Sequence, residues 1–85
     1  MGEYSYIIYG VTWCGFCKKA MQLLQNHSLE YKFLDLTGDE EYLVEVKQFY
    51  STKTVPVVLE VAPSGHIKYI GGFTDLKEKM ETNEK

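Results

Sequence analysis

The stretch Tyr4-Ser5-Tyr6-Ile7-Ile8-Tyr9-Gly10-Val11-Thr12-Trp13-Cys14-Gly15-Phe16-Cys17 decides the fold. Tyr4 to Tyr9 is a short run rich in Tyr and Ile, closed by Gly10, and reads as a buried strand. After Cys14 the period changes. Cys17, Ala20, Met21 and Leu24 fall at i, i+3, i+4 and i+7, which predicts an amphipathic helix from Gly15 to about Asn26. Lys18, Lys19, Gln22 and Gln25 fill its other side. A strand therefore hands over to a helix at Trp13-Cys14-Gly15-Phe16-Cys17. Cys14 falls at the helix N-terminus, where backbone N–H groups are unpaired and the dipole is positive, and that favours thiolate. In Cys-X-X-Cys motifs the thiol pKa can fall to about 3.5–7.5. Cys17 lies one turn on, in the apolar stripe, close enough to attack a mixed disulfide on Cys14. Position thus assigns Cys14 as the nucleophile and Cys17 as the more buried, resolving thiol.

Two blander readings compete with this one. The pair could be inert core cysteines or half of a zinc site. A structural zinc site takes four ligands. Only His27 and His66 remain as nitrogen ligands, and neither has ligand spacing to the pair, so no metal is expected. A disulfide staple is also a poor reading. Secreted domains of this size usually carry more than the two cysteines present here, and so short a loop removes little unfolded-state entropy.

Outward from this junction, Glu30 to Leu36 reads as a second strand. Thr37-Gly38-Asp39 is a turn in which Thr37 or Asp39 can cap the next helix. Leu43, Val46 and Phe49 or Tyr50 predict that helix from about Asp39 to Tyr50. Ser51 to Thr54 is a polar link. Val57 to Val61 and His66 to Ile70 read as a hairpin across the Pro63-Ser64-Gly65 turn. Gly71-Gly72 ends it. Phe73, Leu76 and Met80 then predict a closing helix capped by Thr74, with Glu81 to Lys85 as a solvated or frayed tail. The order is β-α-β-α-β-β-α. Its first half is a βαβ unit with parallel strands and a right-handed crossover. The expected class is α/β, with a four-stranded mixed sheet flanked by three helices.

The chain has 85 residues and a formal net charge of −3. That length fits one domain, residues 1–85, and leaves no room for a second lobe or a large buried site. The charge lacks the basic face of a nucleic-acid binder. No apolar run approaches the roughly 20 residues that span a bilayer. Met1-Gly2-Glu3-Tyr4-Ser5 has neither a basic start nor a long apolar run, so a cytoplasmic location is expected. No paired carboxylates, Ser-His arrangement or phosphate-cradling glycine loop stands out.

Three motifs together resemble the glutaredoxins: Cys14-Gly15-Phe16-Cys17, Thr54-Val55-Pro56, and Gly71-Gly72-Phe73-Thr74-Asp75. The resemblance covers nearly the whole chain, in the family's order and spacing. The short length and the Ala62-Pro63-Ser64-Gly65-His66 hairpin are similar to bacteriophage-encoded members. The resemblance implies a thioredoxin fold and a glutathione-dependent thiol–disulfide oxidoreductase. It implies a cis bond before Pro56, which turns the Val55 backbone toward the cysteinyl unit of glutathione, like an added strand. It implies that Gly72-Phe73-Thr74-Asp75 holds the γ-glutamyl end, with a carboxylate at the helix N-terminus and an ammonium on Asp75. Thr54 belongs to the same groove. Implied partners are glutathione and disulfide-containing or glutathionylated proteins, with ribonucleotide reductase as one client. The implied state is a monomer, and the implied potential lies between about −200 and −270 mV.

The chain departs from the family in places. Val11 stands where many members carry a Lys three residues before the nucleophile, and Lys18, Lys19 or Lys53 are the candidate substitutes. Trp13 is similar to thioredoxins, where Phe16 would be proline. Two alternatives therefore stay open. One is a thioredoxin-like donor fed by a reductase. The other is an iron–sulfur binding dimer of the CGFS kind, held by Cys14 and glutathione. Of the remaining residues, Tyr9 reads as groove-lining or packed, Phe16 as an exposed loop aromatic, His27 as a helix-end residue and His66 as a hairpin residue.

Overall fold

Tyr6 and Ile8 point to one side of the first strand while Ile7 and Tyr9 point to the other, and this alternation builds a core on each face of a sheet. The computed structural model describes residues 3–83. Its elements are β1 (Ser5–Gly10), α1 (Gly15–Asn26), β2 (Glu30–Asp35), α2 (Glu40–Phe49), β3 (Val57–Val61), β4 (Ile67–Gly71) and α3 (Phe73–Asn83). The order is the expected one, and this is a thioredoxin-like fold. Strand ends move by one residue at β1, β2 and β4. The expected tail is corrected at Glu81, because α3 continues to Asn83. Residues 84 and 85 lie outside the described residues.

The sheet order is β2-β1-β3-β4. β1 runs parallel to β2, with Tyr6 beside Tyr31 and Ile8 beside Phe33. It runs antiparallel to β3, with Tyr6 opposite Glu60 and Ile8 opposite Val58. β4 closes the edge as a hairpin, and between the Val58–Gly71 and Leu59–Tyr69 pairs Ile70 is the extra residue of a bulge.

On one face Tyr6, Ile8 and Val58 pack with Ala20 and Leu24 of α1 and with Leu76 and Met80 of α3. On the other face Val57 and Leu59 pack with Leu36 and with Val46 of α2. Ile8, Leu24 and Leu76 are fully buried, and each contributes about 1.5–3 kcal/mol by leaving water. The same alternation turns Glu60 inward beside Val58. Its carboxylate accepts the Tyr6 hydroxyl at 2.8 Å and pairs with Lys79 Nζ at 3.4 Å.

Candidate active site

Gly10 ends β1 because nothing larger fits. A Cβ there would run into the Cys17 sulfur and lie 3.1 Å from the Phe33 ring. The strand end can therefore accept the first turn of α1 directly above it. The intervening loop is fastened to the β2–α2 turn. Leu36 N–H donates to the Gly10 carbonyl at 2.8 Å, and Thr12 N–H donates to Thr37 Oγ1 at 2.9 Å. Thr37 N–H in turn donates to Asp35 Oδ1 at 3.0 Å. Hydrogen bonds from the Thr37 side chain and then its backbone hold the Asp35 carboxyl below its ordinary range.

Cys14 is the N-cap of α1. Its backbone is extended, and its sulfur accepts the Cys17 N–H at 3.4 Å. This is the helix-end position expected from the sequence. The Cys14 sulfur is also 3.9 Å from the Val55 carbonyl oxygen, so the thiol faces the Thr54-Val55-Pro56 segment across 41 residues of chain. Cys14 is partly exposed, whereas Cys17 is fully buried. Burial, then the hydrogen bond with Cys14, pushes the Cys17 thiol up from 9.0 to about 12. Cys17 is therefore protonated at neutral pH, and its burial shields it from an external disulfide.

The Val55–Pro56 bond is cis, as expected. A groove of about 300 Å³ beside it is lined by Thr54, Val55, Pro56, Gly72, Phe73, Thr74 and Asp75. All seven residues expected from the sequence thus meet in one hollow. The two segments touch, since a Cβ on Gly72 would lie 3.7 Å from the Pro56 carbonyl oxygen. One assignment is corrected here. Thr74 lies inside α3 and is not its cap. Asp75 reaches back instead, and its Oδ2 accepts the Gly72 N–H at 3.0 Å, while Leu76 N–H donates to the Gly72 carbonyl at 3.0 Å. Gly71 permits this, with φ +128° and no room for a Cβ against the Asp75 carboxylate.

Phe16 is corrected too: it belongs to the first turn of α1, not to a loop. Its ring lies 5.9 Å from the Phe73 ring, with Lys19 Nζ 5.2 Å above it. Lys19, a candidate substitute for the missing cation, is thus placed over an aromatic face. Val11 is buried and Trp13 is 76 % exposed. Tyr9 packs on the α2 face and meets Tyr42 edge-on. His27 is the C-cap of α1, and His66 is exposed in the hairpin.

Sequence reasoning missed the Thr12–Thr37 tether, the Phe16–Phe73 contact and Tyr69, which also lines the groove. The period-2 pattern of β3 could have flagged Glu60 as inward, because Glu60 shares a face with Val58. A larger hollow, about 1010 Å³, surrounds Tyr6, Glu60 and Lys79; neither cysteine lines either hollow, and it is the smaller one whose wall, at the Val55 carbonyl, the Cys14 sulfur faces. Among the described residues no group of three or more His, Cys, Asp or Glu side chains is placed to hold a metal, and no helix is long and apolar enough to cross a membrane.

Known proteins are similar to this chain in sequence and fold. The sequence profile of the glutaredoxin family matches residues 6–60. Glutaredoxin 3 of Danio rerio is 34 % identical over 71 residues, covering 84 % of this chain and 20 % of that protein. The chain therefore spans about a fifth of the length of that relative. Among solved structures, the holo form of glutaredoxin C1 from Populus tremula x tremuloides superposes with a TM-score of 0.77 at 28 % identity, covering 93 % of this chain and 69 % of that one. The buckwheat glutaredoxin–glutathione complex shares the fold with a TM-score of 0.77 at 23 % identity, covering 94 % and 71 %.

Proposed function

The chain belongs to the glutaredoxin family, and on that premise we propose that it reduces protein disulfides and glutathionylated proteins with glutathione as reductant. One observation carries the reading. A partly exposed Cys14 accepts a helix N–H and faces Val55, while a buried, protonated Cys17 sits one turn behind it.

Cys14 thiolate attacks the glutathione sulfur of a glutathionylated protein. A new S–S bond forms on Cys14, the old one breaks, and the protein leaves as thiolate. A second glutathione thiolate then attacks the mixed disulfide and restores Cys14, releasing glutathione disulfide. With a protein disulfide, Cys17 gives up its proton and attacks the mixed disulfide on Cys14. Two glutathiones reduce the resulting Cys14–Cys17 bond. The same exposed sulfur is attacking atom in the first half-reaction and leaving group in the second, so one position serves both.

The groove supports glutathione as the ligand. The open Val55 backbone suits strand-like pairing with the cysteinyl unit. The start of α3 offers N–H groups to a carboxylate, and Asp75 offers a counter-charge to an ammonium. A reducing, cytoplasmic setting is proposed because the sequence has two cysteines, spaced for exchange rather than as a structural staple. Exposed Trp13 and Phe16 favour a second reading, a donor to protein disulfides fed by a reductase.

The test is glutathione-coupled reduction of a glutathionylated peptide. Wild type and Cys17→Ser are expected to turn over, and Cys14→Ser is not. Inactivity of wild type with glutathione, together with reductase-fed reduction of a protein disulfide, would move the assignment to the second reading.

A further inference from the structure

Tyr69 lines the same groove as Val55, Pro56, Phe73 and Asp75, yet it belongs to none of the motifs that define that groove. It sits on edge strand β4, opposite Leu59. Its ring stacks on Tyr50 with centroids 5.1 Å apart and planes 22° apart. Tyr50, the C-cap of α2, meets Phe49 edge-on at 4.8 Å. Each member of the stack stands a few residues before one half of the groove. Tyr50 precedes Thr54-Val55-Pro56, and Tyr69 precedes Gly72 to Asp75. The stack therefore joins the end of α2 to β4 and holds a ring at the groove. Tyr69 keeps 38 % of its surface exposed there.

We propose that Tyr69 is a specificity-determining residue of this groove, a rigid aromatic wall against which the planar peptide stem of the glutathionyl unit packs. Tyr50 is its positioning residue. The inference rests on the reading of the groove as a glutathione site. An aromatic face held by a second ring gives contact area to a flat amide with little ordering cost. Such a contact exists before and after thiol exchange, so it acts on binding rather than on the chemical step.

The test measures kcat and KM for a glutathionylated peptide, with excess glutathione, in wild type, Tyr69→Ala, Tyr69→Phe and Tyr50→Ala. The rate of Cys14 alkylation by iodoacetamide reports thiol reactivity independently of the groove. Tyr69→Ala is expected to raise KM about tenfold with kcat and alkylation within about twofold of wild type. Tyr69→Phe is expected to recover most of the affinity, because the ring and its stack remain. Tyr50→Ala is expected to raise KM less than Tyr69→Ala does. An unchanged KM in Tyr69→Ala overturns the assignment, as does a parallel fall of kcat and alkylation, which would mark general damage to the site. Should Tyr69→Ala fail to fold, Tyr69→Leu supplies the comparison, and a wild-type KM in that variant overturns the aromatic role. Lack of wild-type turnover on the glutathionylated peptide removes the glutathione reading and this inference together, a pattern distinct from the first two.

Discussion

The two ends of β1 use polar groups in opposite ways. At the Tyr6 end, a buried carboxylate is satisfied from within: Glu60 accepts the Tyr6 hydroxyl and pairs with Lys79. Burial, with Glu60 next, pushes the Tyr6 hydroxyl above its ordinary range, so the bond stays in its neutral-donor form. At the Gly10 end, the groups face outward: a partly exposed thiol, the Val55 backbone and the first turn of α3. The hollow at the Tyr6 end is the larger, about 1010 Å³ against about 300 Å³. Size and buried charge are therefore not the ground for the proposed site. It rests on groups held in place but left open to a ligand, which a substrate can complete.

The sharpest way to break this contrast is to remove the reactive group alone. Cys14→Ser is expected to lower glutathione-coupled turnover by at least about 10³-fold, since serine is a far weaker nucleophile at neutral pH. The urea unfolding midpoint should stay in place. Tyr6→Phe is expected to do the reverse. It leaves the buried Glu60 short of a donor and costs about 1–3 kcal/mol of stability by urea unfolding, with turnover within about twofold of wild type. A loss of turnover in proportion to stability would show that the two ends are not separable. Asp75→Ala probes the point where both roles meet. Loss of the bond to Gly72 N–H is expected to cost about 1 kcal/mol, and loss of the carboxylate should raise KM for a glutathionylated peptide several-fold. The smallest effect is expected at Asp39→Ala. There the bond from Tyr42 N–H at 3.3 Å caps α2 away from the groove, so about 0.5–1 kcal/mol of stability is lost and turnover is unmoved.

The same contrast explains how much of the molecule was legible in the sequence. The change of period at Cys14, the β-branched run of Val57 and Val58, and the Pro63-Ser64-Gly65 turn are local signals, and they carried the element order. The placement of Cys14 and Cys17 was legible because a helix start and an apolar stripe are local too. Thr74 was misread as the α3 cap because a Thr followed by Asp75 and Glu78 has the pattern of one. The deciding contact, Asp75 to Gly72 N–H, depends on the φ of Gly71. Tyr69 and the Thr12–Thr37 tether were invisible for another reason. They arise where segments distant in sequence meet, and no spacing along the chain encodes them. Glu60 lay between these cases: its inward position is set by alternation, and its partner Lys79 is not.

The asymmetry of the two thiols is the central claim, and timed alkylation tests it most directly. Reduced protein would be treated with iodoacetamide between pH 7 and pH 10, and each cysteine tracked by peptide mass spectrometry. Cys17 has a folded-state pKa raised from 9.0 to about 12. Its neutral form therefore contributes stability that is complete below about pH 9 and is lost as pH rises toward about 12. Cys14 is expected to be modified first across the whole range, with Cys17 unreactive in folded protein and modified readily in urea. Equal labelling of Cys14 and Cys17 in folded protein near pH 7 would contradict the assignment of nucleophile and resolving thiol.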